Sequence, residues 1–270
     1  MPSSSNDRGQ ERDDSRPRKT LPGRENLGSA LLQAGRLEEA EAVLRELVAL
    51  SPQSALALYN LGLALKQKDE FAEAEVFLRR AASLDRTLPD APYTLGVVLW
   101  QTGRFDEAAS AFRDAASRRP AYADAHFMLG TVLQQQGDAE GALLAFRKAV
   151  AIAPDSAEAH LALAQLLKRR GDDDGARAEL REAERLRQKK ADHQAAAFAL
   201  DLARRRLADR DLSGAVSSLR EAVRLDPDDP QAHLQLARAL EKQGHAEEAR
   251  AHLEEALRLA PGLNVAQADR

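Results

Sequence analysis

In the stretch Tyr93–Phe112, YTLGVVLWQTGRFDEAASAF, the pair Leu95-Gly96 is followed by Gly103 and then Ala108. The same punctuation returns 34 residues later as Leu129-Gly130, Gly137 and Ala142. Self-similarity at a fixed spacing of this size marks an array of stacked supersecondary units. Number the unit so that Gly28, Gly62, Gly96 and Gly130 fall at position 8. Position 7 is then Leu27, Leu61, Leu95, Leu129 and Leu163. Position 15 is Gly35, Asp69, Gly103, Gly137 and Gly171, and position 20 is Ala40, Ala74, Ala108, Ala142 and Ala176. Position 32 is Pro52, Arg86, Pro120, Pro154 and Gln188. The phase slips by five residues, 191–195, and resumes at Leu202, Ala203, Ala215, Ala222 and Pro227, then Leu236, Ala237, Gly244, Ala249, Ala256 and Pro261. Seven units result: 21–54, 55–88, 89–122, 123–156, 157–190, 196–229 and 230–263.

Each recurring residue has a physical reason. Gly or Ala at 8 and Ala at 20 remove bulk where two helices must approach. Ala at 27 (Ala81, Ala115, Ala149, Ala183, Ala222, Ala256) does so toward the next unit, and Leu47 departs from it in the first. Glycine at 15 permits the positive φ that ends a helix. Acidic residues such as Asp106-Glu107 and Asp172-Asp173-Asp174 then suit the start of the next. Proline near 32 stops the second helix. Each unit therefore reads as helix, tight turn, helix, turn.

These residues resemble the tetratricopeptide repeat (TPR) family, whose 34-residue helical hairpin carries this LG…G…A…F…A…P pattern, and seven copies cover about nine-tenths of the chain. Position 4, often tryptophan in the family, is here Arg24, Leu58, Pro92, His126, His160, Ala199 and His233, and Arg86 and Gln188 stand where proline is expected. One hairpin cannot bury its apolar face alone, so the units must stack. The resemblance implies an all-α, right-handed superhelical solenoid of antiparallel helix pairs, first helices lining a concave surface and second helices outside.

Composition agrees. The 270 residues are 44% hydrophobic and only 4% aromatic, with mixed charges summing to −4, which argues against nucleic acid as a ligand. The absence of cysteine excludes disulfides, thiolate nucleophiles and Cys-ligated zinc. Residues 1–20 are polar with no apolar core of a secretory signal and read as a disordered tail, and 264–270 form a short C-terminal tail. No apolar run is long enough for a membrane span, and cytoplasmic location is the default. Ala176 to Arg210 contains neither proline nor glycine. The second helix of unit five should run about a turn long through a helical 191–195 insertion, either as an accommodated insertion or as a hinge. Arg206 stands at position 11, which is normally apolar. Leu257 and Leu259 at the end of the array suggest an apolar edge for weak self-association through the last helix.

In the family, positions 2, 5, 6, 9, 12 and 13 of the first helix face the groove, and the helical period places 2, 5, 9 and 12 opposite the buried 7, 8 and 11. The candidate partner-binding residues are Tyr59, Asn60, Lys66, Tyr93, Val97, Trp100, Gln101, Phe127, Met128, Thr131, Lys168, Arg169, Arg204, Arg238 and Lys242. Aromatic residues concentrate in units two to four and cations in units five to seven. The expected ligand is a peptide or helical segment with an apolar and an acidic part. Aromatics at positions 5 and 12 also serve plain packing between neighbouring first helices. Two family specialisations fit poorly. The carboxylate clamp for chaperone C-termini lacks its Lys and Asn at Glu25 and Ser29, and the asparagine ladder of O-linked N-acetylglucosamine transferases stops after Asn26 and Asn60.

No phosphate-binding glycine loop, H-E-x-x-H or G-x-S-x-G occurs, so no catalytic residue, cofactor or metal site is assigned. The run GDDDG at 171–175 reads as helix capping. His245 and His252 have no evident partner, and Arg118-Arg119 and Arg204-Arg205-Arg206 read as solvated helix face. The expectation is a non-catalytic scaffold for protein partners. The alternative is a recruiting or regulatory subunit of an enzyme whose catalytic chain is separate.

Overall fold

The computed structural model describes residues 21–263, with side chains from Gly23 onward. The tails expected at 1–20 and 264–270 lie outside them. Among the described residues thirteen helices follow one another and no strand occurs: α1 Leu21–Gln33, α2 Leu37–Leu50, α3 Ala55–Gln67, α4 Phe71–Leu84, α5 Asp90–Gln101, α6 Phe105–Arg118, α7 Ala123–Gln135, α8 Ala139–Ile152, α9 Ala157–Arg169, α10 Asp173–Ala208, α11 Leu212–Leu225, α12 Pro230–Gln243 and α13 Ala246–Leu259. Helices α1 to α9 pack in chain order, each on the next, and α11, α12 and α13 do likewise. First helices also touch in succession, α1 on α3 and α3 on α5. The fold is all-α, built of helical pairs packed in succession.

Seven pairs would need fourteen helices. Thirteen form because α10 does not break: it runs 36 residues, through 191–195, and serves as both the second helix of one pair and the first of the next. The expected extra turn is therefore a complete fusion. Nothing between Ala176 and Arg210 supplies a glycine at positive φ or a proline, so no signal ends the ladder. By contacts the chain divides into two compact units between Arg177 and Ala178.

The first unit holds one large core, with two smaller clusters around Leu58 and Ala115. Leu44, Leu61, Leu78, Phe112 and Phe146 are essentially inaccessible to solvent, and Leu95, Leu129 and Leu163 join them. Each such side chain contributes about 1.5–3 kcal/mol by leaving water. The glycines at position 8 set the spacing of the paired helices. A methyl group at Gly96 would lie 2.7 Å from the Phe112 ring, and one at Gly130 would lie 2.7 Å from that of Phe146. In the second unit the same position is Ala203 and Ala237, opposite Leu219 and Leu253. Its core (Leu200, Ala203, Val216, Leu219, Leu236, Leu240) is correspondingly free of aromatic rings.

The turn inside each pair follows one rule. Gly35, Gly103, Gly137, Gly171 and Gly244 have φ between 70° and 84°. Asp69 and Arg210 occupy the same position at φ 60° and 63° without being glycine. The left-handed conformation costs an L-residue roughly 1–2 kcal/mol, less for Asp, whose side chain bonds locally. Arg210→Gly is therefore expected to raise the unfolding free energy by about 0.5–1 kcal/mol, and Asp69→Gly by less. Urea denaturation of the two variants compares them directly, and equal or inverted gains would contradict this account.

Asp172 caps α10 by accepting from the amide of Gly175 at 2.9 Å, as Asp138 does for Gly141 and Asp211 for Gly214. The GDDDG run is a helix cap. Arg206, out of place at an apolar position, is half-buried, and its guanidinium donates to the Gly214 carbonyl at 2.8 Å and to the Ser218 hydroxyl at 3.1 Å. At the last helix Leu257 is 37% exposed and Leu259 half-buried.

Two expectations need correction. Arg118 is not a solvated basic residue. Its side chain is only 10% exposed, and it donates to the carbonyls of Ala82 and Asp85, both at 2.9 Å, while pairing with Asp114 at 2.7 Å. It braces the end of α4 where Arg86 replaces the expected proline. His252 also has a partner: its Nδ1 lies 3.0 Å from the Nδ1 of buried His233. His233 Nε2 donates to the carbonyl of Pro227, as His126 and His160 do to Pro120 and Pro154, each at 3.1 Å. A neutral His233 thus offers Nδ1 as acceptor and His252 donates. Burial, with His233 beside it, pushes the pKa of His252 down.

Candidate interaction surface

Positions 2, 5, 6, 9, 12 and 13 recur along α3, α5 and α7 in the first unit, because each helix repeats the same phase against its pair. Tyr59 and Asn60 stand on α3, Tyr93, Val97, Trp100 and Gln101 on α5, and Phe127, Met128 and Thr131 on α7. Neither Tyr59, Tyr93, Val97, Trp100, Phe127 nor Met128 is fully buried, yet none is fully exposed. Each packs partly against the core of the first unit.

Several of these side chains are engaged with neighbouring helices. The Tyr93 ring lies 5.7 Å from Phe112 and 4.9 Å from Tyr122, both tilted. Phe127 meets Phe146 at 5.8 Å. Burial raises the pKa of both Tyr59 and Tyr93, keeping their hydroxyls neutral. Asn60, only 6% exposed, donates to the Ser29 hydroxyl at 3.2 Å and belongs to the packing between α1 and α3. Thr131 donates to the carbonyl of Phe127 at 3.1 Å, one turn back on its own helix. Tyr122 was not singled out by its sequence position. It donates to Asp90 at 2.9 Å while Arg119 sits 4.7 Å over its ring and pairs with Asp90 at 3.0 Å. The signal that could have found it is its spacing: it closes the unit, next to the start of the following first helix.

Trp100 differs from the rest. Its indole Nε1 donates to Gln135 Oε1 at 2.9 Å, across to an exposed side chain at the end of α7, and its ring stays partly open to solvent. Gln101 beside it is exposed. Lys66 is half-buried at the end of α3. Of the cations on α9, Lys168 is held by Asp173 at 2.5 Å and Arg169 is exposed. Arg204, Arg238 and Lys242 belong to the second unit. Arg204 pairs with Asp201 at 2.5 Å, and Arg238 and Lys242 line a cleft of about 680 Å³ between α12 and α13. Among the described residues no cluster of three His, Asp or Glu could hold a metal, and no helix is long and apolar enough to cross a membrane.

A row of side chains in register on successive first helices defines a helical-repeat protein. Family models described as tetratricopeptide repeat match residues 25–92 and 93–157, and a second such model matches 133–200 and 206–268. The chain belongs to the tetratricopeptide repeat family. Among solved structures it is similar to MamA (24% identity, TM-score 0.57, 61% of this chain and 96% of that one). It is similar also to MamA 41-end from Desulfovibrio magneticus RS-1 (23% identity, TM-score 0.56, 62% and 94%). These likenesses are of fold. No curated protein matches the chain in sequence.

Proposed function

We propose that the chain is a non-catalytic protein-interaction scaffold that binds a peptide or helical segment of a partner in the groove formed by its first helices. The observation that carries this reading is the partly exposed row Tyr59, Tyr93, Trp100, Phe127 and Met128 on α3, α5 and α7. Large aromatic side chains held rigid by packing lose little entropy on binding and supply most of the area in a peptide interface. Tyr93 and Phe127 are braced by core rings, and Trp100 is partly open, its indole N–H donating to the exposed Gln135.

The test starts with affinity capture and mass spectrometry on the full chain, followed by titration of the purified partner. Trp100→Ala should weaken that partner at least tenfold, or about 1.4 kcal/mol, when measured well below the variant's own melting temperature, since Trp100 also packs partly on the core. Tyr93→Ala is a poorer probe, because removing its stacking on Phe112 and Tyr122 also destabilises the fold. Unchanged affinity in Trp100→Ala would rule out this groove as the binding site.

A further inference from the structure

The outer, second helices carry a charge pattern that is complete in the first two units and lost in the next three. Position 25 is arginine in six consecutive units: Arg45, Arg79, Arg113, Arg147, Arg181 and Arg220. Arg45 holds two carboxylates, Glu41 one turn back on its own helix at 2.7 Å and Glu73 of the next unit at 2.7 Å. Arg79 repeats the arrangement with Glu75 at 2.8 Å and Glu107 at 2.6 Å. In the second unit Arg220 keeps the forward partner, Glu248, at 2.9 Å. At Arg113 both acids are gone. Ala109 stands at the position of Glu41 and Glu75, and Gly141 at that of Glu73 and Glu107. Arg113 is exposed and joins none of the hydrogen bonds or ion pairs among the described residues. Arg147 and Arg181 have lost the same two acids, to Leu143 and Gly175 and to Arg177 and Gly214, and Arg147 stands in the field of Glu140.

The loss has a local cause and an open consequence. Gly141 accompanies a different way of starting the outer helix: Asp138 folds back onto its amide, and a Cβ there would collide with the Asp138 carboxylate. In unit three the corresponding pair is Arg104 and Glu107, in an ion pair at 2.6 Å. Exchanging that corner for Asp138 and Gly141 removes both a carboxylate and its stem. What remains is a cleft of about 360 Å³ between α6 and α8. Arg113 and Lys148 stand at its edges with Asp138, whose carboxylate is turned to the Gly141 amide; Leu129 and Leu133 form its floor, and Leu144, 60% exposed, its rim.

We propose that this outer cleft, on the second helices and separate from the first-helix groove, is a second docking site for a partner segment that presents an acidic side chain beside an apolar one. The acid takes the place that Glu107 occupies before Arg79, bonding the Arg113 fork in the bidentate way a guanidinium favours. The apolar neighbour covers Leu129, Leu133 and Leu144. The chain's own repeats thus specify the charge, the reach and the position of the missing group.

The probe is an array of short synthetic peptides, each bearing one Glu and one Leu or Phe at graded separations on an alanine background, with a Gln-for-Glu twin for each. Fluorescence anisotropy with the full chain should find members that bind better than their twins. Arg113→Ala, at an exposed site that leaves the core intact, should weaken those members about five- to tenfold, the scale of one charge-assisted contact. Leu144→Ser should weaken them as well, and Trp100→Ala should leave them unchanged. The pair Asp138→Arg with Gly141→Glu copies the corner of unit three and should abolish binding by supplying the carboxylate internally. The site is refuted if no peptide is preferred over its Gln twin, or if Arg113→Ala binds the preferred peptides as well as the parent chain. Loss in Trp100→Ala with none in Arg113→Ala would assign the peptides to the groove instead and overturn the second site.

Discussion

Phe112→Ala is expected to lower the unfolding free energy by about 3–5 kcal/mol, the range for emptying a fully buried aromatic site. More informative is what it does to Gly96. On the parent chain, Gly96→Ala should destabilise by about 1–2 kcal/mol. The added methyl group falls 2.7 Å from a ring with no free volume to retreat into, and overpacking outweighs the gain of about 1 kcal/mol in helix propensity. On a Phe112→Leu background the penalty should shrink without vanishing: the second unit accommodates Ala203 against Leu219, but in the first unit a methyl group at Gly62 would still lie 2.6 Å from Leu78. Chemical denaturation of the four proteins, followed by far-UV circular dichroism, measures the coupling as a double-mutant cycle. Simple additivity would show that Gly96 and Phe112 do not set each other's size.

Arg118→Ala should cost about 2–4 kcal/mol, far more than an exposed arginine warrants. Hydrogen bonds from a charged donor contribute about 1.5–3 kcal/mol, and truncation leaves the carbonyls of Ala82 and Asp85 unpaired beneath a shielded turn. Arg118→Lys should recover little, since one ammonium cannot span two carbonyls and Asp114 as the guanidinium fork does. Arg119→Ala is the control: it removes the exposed pair with Asp90 and its place over the Tyr122 ring, and should cost about 1 kcal/mol or less. Thermal melts of the three variants rank them, and a cost for Arg118→Ala no greater than for Arg119→Ala would discard the brace.

The repeat was legible because its cause is local. A turn that needs positive φ asks for glycine wherever it falls, so Gly35, Gly103, Gly137, Gly171 and Gly244 announce five turns unaided. The buried alanines at positions 20 and 27 are nearly as plain, since close helix approach excludes anything larger. Contacts between units were not legible. Arg118 looks like half of a basic dipeptide, and only its reach to α4, 33 and 36 residues back, shows its work. The neighbouring departure, Arg86 in a proline slot, was visible but pointed to a weak turn rather than to its brace. His252 shows no partner until α12 and α13 fold together. The rings of Tyr93 and Phe127 are aromatic residues on the expected helical face in either setting. How far each is sheltered depends on Phe112, Tyr122 and Phe146, which the helical period alone does not locate.

The unbroken α10 has a dynamic consequence. From Arg187 to Ala195 no residue of the helix is buried, and only Asp192 is even half-covered. Elsewhere a turn of helix persists because opening it would wet a leucine or an alanine. Here no apolar side chain is wetted, and persistence rests on the backbone ladder, on residues such as Lys, Gln and Ala that favour it, and on two polar contacts, Gln188 to Asp192 at 2.8 Å and His193 to Asp226 at 2.5 Å. These amides should therefore open by fraying from within, on the timescale of a helix–coil fluctuation rather than of global unfolding. Among the described residues the longest helix thus contains about two and a half turns that shield no apolar side chain.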